Sequence, residues 1–456
     1  MLPPDFILHT QALLGDEFPL LEKALAKEVP VSIRLNRRKT TASLPYERIP
    51  WSQSGYYLPE RLSFTFDPLF HAGIYYVQEA SSMFLEQAIK TYIDTPVKCL
   101  DLCAAPGGKS THLLDTLPEG SLLVSNEVIR SRSKILSENI TKWGNSYNII
   151  TNNDPIDFSK LTHFFDVIVT DVPCSGEGMF RKDPDSIKEW SVSNVSLCAA
   201  RQRRILQDIW NALKPGGLLI YSTCTYNIEE NEENIRYIIE ELDAKSLSIE
   251  KSNDWRISKA LKYEYPVNRF FPHKVKGEGF FLAVLRKADS EFSEIKRKVK
   301  REKKRNSVQI PKDISLWLSD PEKFSIEVSK DKIYAFPKQY MDDLKYIAES
   351  LHIVSAGICL GELKGKDIIP AHSLAMSTEI NKDIFEQAEL NWEEAIKYLR
   401  KEPLTLGNTK GYVLVNYKGC PLGFVKQLGN RANNLYPQEW RIRTGYTPEK
   451  PIILEL

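Results

Sequence analysis

From Pro96 onward, short apolar runs alternate with amphipathic stretches. The runs are Val97 to Asp101, Leu122 to Asn126, Tyr147 to Asn152, Phe165 to Asp171 and Leu218 to Thr223, and helical patterns at Ser131 to Trp143 and Val195 to Leu213 separate them. Strand-like runs interleaved with helices predict a mostly parallel sheet covered on both faces, an α/β fold. In such a sheet ligands bind over the C-terminal ends of the strands. Two of the runs lead into cysteine dipeptides, Pro173-Cys174 and Thr223-Cys224, fifty residues apart. Both thiols are therefore expected over one edge of one sheet, where they read as chemistry on a substrate rather than as core filling. Lys214-Pro-Gly-Gly217 is expected to turn the chain between helix and strand, and Gly279 to Arg286 to form the last strand of this sheet.

At 456 residues the chain is long for one core, and two or three domains are expected. Its 61 Lys+Arg against 60 Asp+Glu leave a formal net charge of only +1, so a polyanionic partner would have to be met by local basic patches. The 7 cysteines show neither a short-spaced disulfide framework nor Cys/His clusters at zinc spacing, which points to no metal and to a reducing cytoplasm. Met1-Leu-Pro-Pro-Asp lacks a signal pattern and no apolar run reaches membrane-spanning length, so no membrane association is expected.

Five segments are expected. Residues 1–65 combine a helical pattern, Pro3 to Lys27, a strand-like Val31 to Asn36 and the cationic Arg37-Arg38-Lys39, as a small α+β appendage that would touch RNA. Residues 66–287 carry the α/β sheet. Residues 288–312 form a basic linker in which Lys296 to Arg305 holds eight cations in ten positions, a solvated tether that in an RNA-binding protein doubles as a contact. Residues 313–378 look like a compact α+β segment. Residues 379–456 alternate short strands with turns, as a small β-barrel would.

Asp101-Leu-Cys-Ala-Ala-Pro-Gly-Gly-Lys-Ser110 follows the first strand and opens a helix. Small residues admit a ligand close to the backbone, and helix N-terminal amides bind carboxylate or phosphate oxygens. The G-x-G-x-x-G of a dinucleotide site is absent, and a P-loop would need glycine where Cys103 stands. S-adenosylmethionine remains. Cys103, Ala104, Ala105, Pro106, Gly107, Gly108 and Lys109 would cradle its amino-acid end. Glu127, nineteen residues past Gly108, would accept the ribose hydroxyl protons, Asp154 would meet the adenine amino group, and Asp171 ends the fourth strand. Any one of these acids alone reads as an exposed loop residue; three at successive strand ends read as a ligand site.

Asp101 to Lys109, Asp-Val-Pro-Cys-Ser-Gly at 171 to 176, Tyr-Ser-Thr-Cys-Thr at 221 to 225, and Tyr76-Val-Gln-Glu-Ala-Ser-Ser82 together resemble the Nol/Nop/Sun family of RNA cytosine-5 methyltransferases over about residues 30 to 287. The resemblance implies a Rossmann-like class I methyltransferase sheet, S-adenosylmethionine as cofactor, Cys224 as the nucleophile that adds to cytosine C6, Cys174 as the thiol assisting release, and Asp171 near the cytosine edge. Spacing alone leaves the two thiol roles exchangeable, as in DNA cytosine-5 methyltransferases, whose nucleophile is thought of in the Pro-Cys motif; the resemblance decides for Cys224. Cys99, Cys198, Cys359 and Cys420 read as inert core thiols.

Gly419 to Lys426 and Asn433 to Arg443 resemble the PUA-like appendage of RsmF-type bacterial ribosomal RNA methyltransferases. Lys426, Arg431, Arg441 and Arg443, mixed with Tyr412, Tyr436 and Trp440, suit phosphate contacts and base stacking, and Arg181-Lys182 would hold phosphates near the active edge. An ordinary small barrel with a Trp core and solvated cations is the plain alternative. The expected protein is a cytoplasmic, monomeric RNA methyltransferase making 5-methylcytidine in 16S rRNA or the small ribosomal subunit, with transfer RNA as the nearest other substrate. An RNA-binding assembly factor that no longer turns over is the reading from another class.

Overall fold

The computed structural model describes residues 2–289, 312–365, 367–407 and 410–455. The basic run Lys296 to Arg305 lies outside them. Strands β1 (Ser32–Leu35), β2 (Gly55–Tyr57) and β3 (Tyr75–Val77) form a small antiparallel sheet in the order β2-β1-β3. A nine-stranded sheet follows, built on β4 (Lys98–Asp101), β5 (Leu122–Asn126), β6 (Asn148–Thr151), β7 (Phe165–Asp171), β8 (Leu213–Thr223), β9 (Ala244–Leu247), β10 (Asn268–Phe270) and β11 (Phe280–Lys287).

The five strands β8-β7-β4-β5-β6 are parallel, as the alternation of runs and helices predicts, and β11 and β10 add antiparallel on the β8 side. Residues alternate strictly between two buried layers: Cys99, Leu123, Val167, Val169 and Ile220 face one, Leu100, Val124, Ile168, Leu219 and Tyr221 the other. That two-sided burial is why these strands read as continuous apolar runs. Lys214-Pro-Gly-Gly217 is not a free turn. It lies inside β8, where the register with β7 shifts between Phe165 and Val167 and the extra residues bulge out.

The N-terminal pattern divides at Gly15, whose φ of +54 ends the helix Pro4–Leu14 before the helix Phe18–Leu25. The helices and the small sheet pack on different neighbours. Phe6 and Leu21 bury against Phe180, Trp190, Tyr226 and Phe271, whereas Ile33, Leu35 and Tyr75 share a core with Tyr398, Val413, Val415 and Tyr436 of the C-terminal region. Arg34 fastens β1 to the helices Gly108–Thr116 and Arg130–Trp143: it is fully buried, pairs with Asp115 at 2.7 Å and lies 4.4 Å from the centre of the Trp143 ring.

The segment after the linker carries β12 (Phe324–Ser329), β13 (Lys332–Pro337), β14 (Ile353–Ala356), β15 (Ile358–Lys364) and β16 (Asp367–Pro370). Four of them pair as β12-β13-β15-β16, but β14 leaves this sheet to pair antiparallel with β6. The segment thus completes the edge of the large sheet. Strands β17 (Glu386–Glu389), β18 (Lys410–Tyr417), β19 (Cys420–Leu428) and β20 (Ala432–Asn434) form the last sheet. Among the described residues, no helix is long and apolar enough to cross a membrane.

Candidate active site

Strand β4 lies between β5 and β7, so the chain leaves it in one direction toward β6 and returns on its other side through β7 and β8. The crevice at such a switch point is where α/β sheets bind ligands. The loop after Asp101 runs through Leu102, Cys103, Ala104, Ala105 and Pro106 to Gly107, whose φ of +116 turns the chain into the helix Gly108–Thr116. The Tyr76 ring covers this turn, and a Cβ at Gly108 would meet it at 3.4 Å. The first turn of that helix presents backbone N–H groups that no residue within the helix can accept. Burial lifts the Asp101 carboxyl to about 7 and the Cys103 thiol to about 12, while the Ser110 hydroxyl donates to Asp101 at 2.6 Å.

Glu127 follows β5 and is buried. Its Oε1 accepts from the Ile129 amide at 2.9 Å, and its Oε2 lies 3.5 Å from Arg132, which also donates to the Ala105 carbonyl at 2.8 Å. Arg132 thereby ties the acid to the small-residue loop. Asp154 is exposed after β6, with Oδ1 accepting from the Ile156 amide at 3.2 Å. Asp171 closes β7, where Lys109 donates to Oδ2 at 2.7 Å and Ser222 to Oδ1 at 2.8 Å. Burial works against the Lys109 ammonium, but Asp171 more than offsets this and raises its pKa. A shallow cradle of small residues, helix amides at one end and a buried acid at the other fits the amino-acid and ribose parts of S-adenosylmethionine.

Asp171 on β7 is in register with Ser222 on β8, so Cys174 and Cys224 leave neighbouring strands at similar heights. Their sulfurs are 3.2 Å apart and both are free thiols. The hydrogen bond with Cys224, then burial, pushes the Cys174 thiol well above its usual range. One such thiol can add to an electron-poor carbon while the other exchanges a proton with it. Of the other five cysteines, Cys103 is half-buried in the loop after β4, Cys99 and Cys198 are buried, and Cys359 and Cys420 are half-buried on β15 and β19.

The loops are held by two buried acids whose part in the site is not apparent from the sequence. Glu177 Oε2 accepts from the Tyr226 amide at 2.7 Å, the Asn227 amide at 2.9 Å and the Thr225 hydroxyl at 2.7 Å, which locks the Cys174 loop onto the Cys224 loop. Glu230 accepts from the Ser175 amide at 3.0 Å, from Gln202 at 2.7 Å and from Asn227 at 2.8 Å. Gly178 completes the junction: its amide donates to the Cys224 carbonyl at 2.8 Å, and a Cβ there would come within 2.5 Å of the Gly279 carbonyl oxygen. A signal exists in the run Asn227 to Asn234, seven of whose eight residues are Glu or Asn shortly after a buried strand.

Two expected RNA contacts are placed otherwise. Arg181 is committed to a buried pair with Glu278 at 2.8 Å and donates to the Gly277 carbonyl at 2.8 Å, so its guanidinium serves the fold; Lys182 beside it is exposed. Tyr436 is fully buried against His372 and Tyr398 and offers no face to a base. Lys426 pairs with Asp367 and sits 4.9 Å from the centre of the Tyr412 ring, while Arg431, Arg441 and Arg443 are exposed. Among the described residues, no group of three or more His, Cys, Asp or Glu side chains is placed to hold a metal ion.

Three family models match this chain: 16S rRNA methyltransferase RsmB/F over residues 94–286, the N-terminal domain of 16S rRNA methyltransferase RsmF over residues 2–80, and the methyltransferase RsmF PUA domain over residues 385–442. The Ribosomal RNA small subunit methyltransferase F of Aliivibrio fischeri (strain MJ11) is 31% identical over 96% of this chain and 97% of its own length. The crystal structure of a methyltransferase homolog protein from Pyrococcus horikoshii superposes with a TM-score of 0.53 at 26% identity, covering 63% of this chain and 100% of that one. The structure of NSun6 from the same organism with SFG shares the fold, with a TM-score of 0.55 at 21% identity over 63% of this chain and 99% of its own. With the parallel sheet, the strand-end thiols and a full-length match above 30% identity, this chain belongs to the RsmB/F family of 16S rRNA methyltransferases.

Proposed function

We propose that this protein transfers the methyl group of S-adenosylmethionine to C5 of a cytidine in 16S ribosomal RNA, with Cys224 as nucleophile and Cys174 as the thiol that assists release. The observation that carries this reading is the pair of free sulfurs 3.2 Å apart beside the Lys109–Asp171 pair. Cytosine C5 is a poor nucleophile until something adds to C6, and a thiolate is suited to that addition. Cys224 supplies it, forming a C6–S bond and leaving C5 enamine-like. When bound, S-adenosylmethionine supplies an electrophilic methyl group to that carbon. A base then takes the C5 proton, the C–H electron pair restores the C5–C6 double bond, and the C6–S bond breaks with its pair returning to the Cys224 sulfur, while the demethylated donor leaves as the second product. Asp171 and Lys109, held at the same edge, face the base. Residues 103 to 109 with Glu127 and Asp154 would hold the donor. All of these groups come from one chain, which suits action as a monomer, and free thiols suit a reducing cytoplasm. The segments 1–65, 66–287, 288–312, 313–378 and 379–456 serve as RNA-binding appendage, methyltransferase, basic linker, α+β support and PUA-like RNA-binding region.

The test is an incubation with 16S rRNA and methyl-labelled cofactor, followed by mapping of the label. Label at a cytosine C5 is expected. Tight RNA binding without transfer would leave a catalytically silent assembly factor, and transfer only to transfer RNA would overturn the substrate.

A further inference from the structure

Cys174 is gripped on both flanks by side chains that do not themselves react. Gln202 donates through Nε2 to the Pro173 carbonyl at 2.9 Å and to Glu230 Oε2 at 2.7 Å, and the same Oε2 accepts from the Ser175 amide at 3.0 Å. The residues before and after Cys174 are thus tied to one carboxylate. Its other oxygen, Oε1, accepts from Asn227 Nδ2 at 2.8 Å. The Glu230 side chain accepts from the Ser175 amide, Gln202 and Asn227, N–H donors that suit an ionised carboxylate and offset the rise in pKa that burial imposes. Glu230 is fully buried, so its charge acts on Cys174 through a medium that screens weakly.

We propose that Glu230 is the positioning residue that gives the two thiols their different jobs: it fixes Cys174 from behind and keeps it the hydrogen-bearing partner of the pair. The inference rests on the roles of Cys174 and Cys224 proposed above. The hydrogen bond with Cys224 and burial raise the Cys174 thiol most, and the negative charge behind it acts in the same direction by opposing a second negative charge on its sulfur. Lys109, itself paired with Asp171 at 2.7 Å, lies within the field of Cys224. Of the two sulfurs, that of Cys174 is the one whose flanking residues are tied to a carboxylate. With Cys174 bearing the hydrogen, its S–H donates to the Cys224 sulfur across 3.2 Å. Glu177 faces Glu230, and Tyr221 and Cys198 also lie within the field of Glu230; both are held protonated by burial and strengthen no charge on the pair.

The experiment follows alkylation of Cys174 by iodoacetamide against pH in a Cys224→Ala protein, read by mass spectrometry on the peptide that carries Cys174 because five other cysteines remain, and it needs neither RNA nor methyl donor. With Glu230 intact, the midpoint is expected above that of an ordinary free thiol, about 8.5. Glu230→Gln should lower it by about one pH unit, and Glu230→Asp should restore part of the shift. A midpoint at or below the ordinary value with Glu230 in place would overturn the proposal even if Glu230→Gln did not fold. So would an unchanged midpoint in a folded Glu230→Gln protein. Failure of RNA methylation, by contrast, would strike the proposed function and leave this thiol titration standing.

Discussion

Cys174 and Cys224 hold their sulfurs 3.2 Å apart on loops that leave adjacent, parallel strands. The contact is close enough for one sulfur to receive a proton from the other, and neither loop alone would create it. Its chemistry depends on two loops that Glu177 and Glu230 hold in place.

If Cys224 forms the C6–S bond and Cys174 only helps to break it, removing each thiol has opposite consequences. Cys174→Ala should accumulate a covalent protein–RNA species that survives a denaturing gel, whereas Cys224→Ala should form none. The reverse pattern would exchange the two roles.

Glu127 is the buried acid at the end of β5, joined through Arg132 to the Ala105 carbonyl. A carboxylate accepting ligand hydroxyl protons contributes about 1.5–3 kcal/mol. Glu127→Gln should therefore weaken S-adenosylmethionine binding by about tenfold or more in calorimetry, with little change in RNA affinity. Unchanged cofactor affinity would remove Glu127 from that site.

Much of the fold and of the site is legible in the sequence. Strands β4 to β8 are apolar on both faces, so each shows itself without reference to its neighbours, and Asp171, Cys174 and Cys224 are located by counting from strand ends. Glu177 and Glu230 are different. An acid is buried only when its donors arrive from elsewhere in the chain, and here they come from residues up to fifty-five positions away. Arg181 and Tyr436 fail for the same reason: each looks like a nucleic-acid contact until Glu278 and His372 are brought against it. The pairing of β14 with β6 joins residues about two hundred positions apart and leaves no local pattern to read.

Arg181 and Lys182 are neighbours with opposite fates. Removing one partner of a buried pair leaves the other charge uncompensated, at a cost of about 3–5 kcal/mol. Arg181→Ala should lower the denaturation midpoint clearly, whereas Lys182→Ala should leave stability intact and reduce the salt dependence of RNA binding. An Arg181→Ala protein of unchanged stability that bound RNA poorly would return Arg181 to the RNA surface.

His372 links the C-terminal sheet to acid stability. Its ring lies 5.1 Å from those of Tyr436 and Trp440, and both ring nitrogens are buried without a partner. Burial, with Lys142, Lys39 and His71 nearby, holds its pKa down to about 3, and burial does the same to His71. The sign follows from the unfolded chain, where histidine takes up a proton below about 6.5. Because the folded values are lower, the unfolded state binds more protons as pH falls, so this stability is complete above about 6.5 and drains away toward 3. At pH 5 the loss from His372 should reach about 1–2 kcal/mol. A phenylalanine cannot protonate and would keep the same edge contacts with Tyr436 and Trp440. Thermal denaturation at pH 7.5 and pH 5 should therefore show a smaller drop for His372→Phe than for the parent chain, and equal drops would show that His372 carries no part of the acid sensitivity.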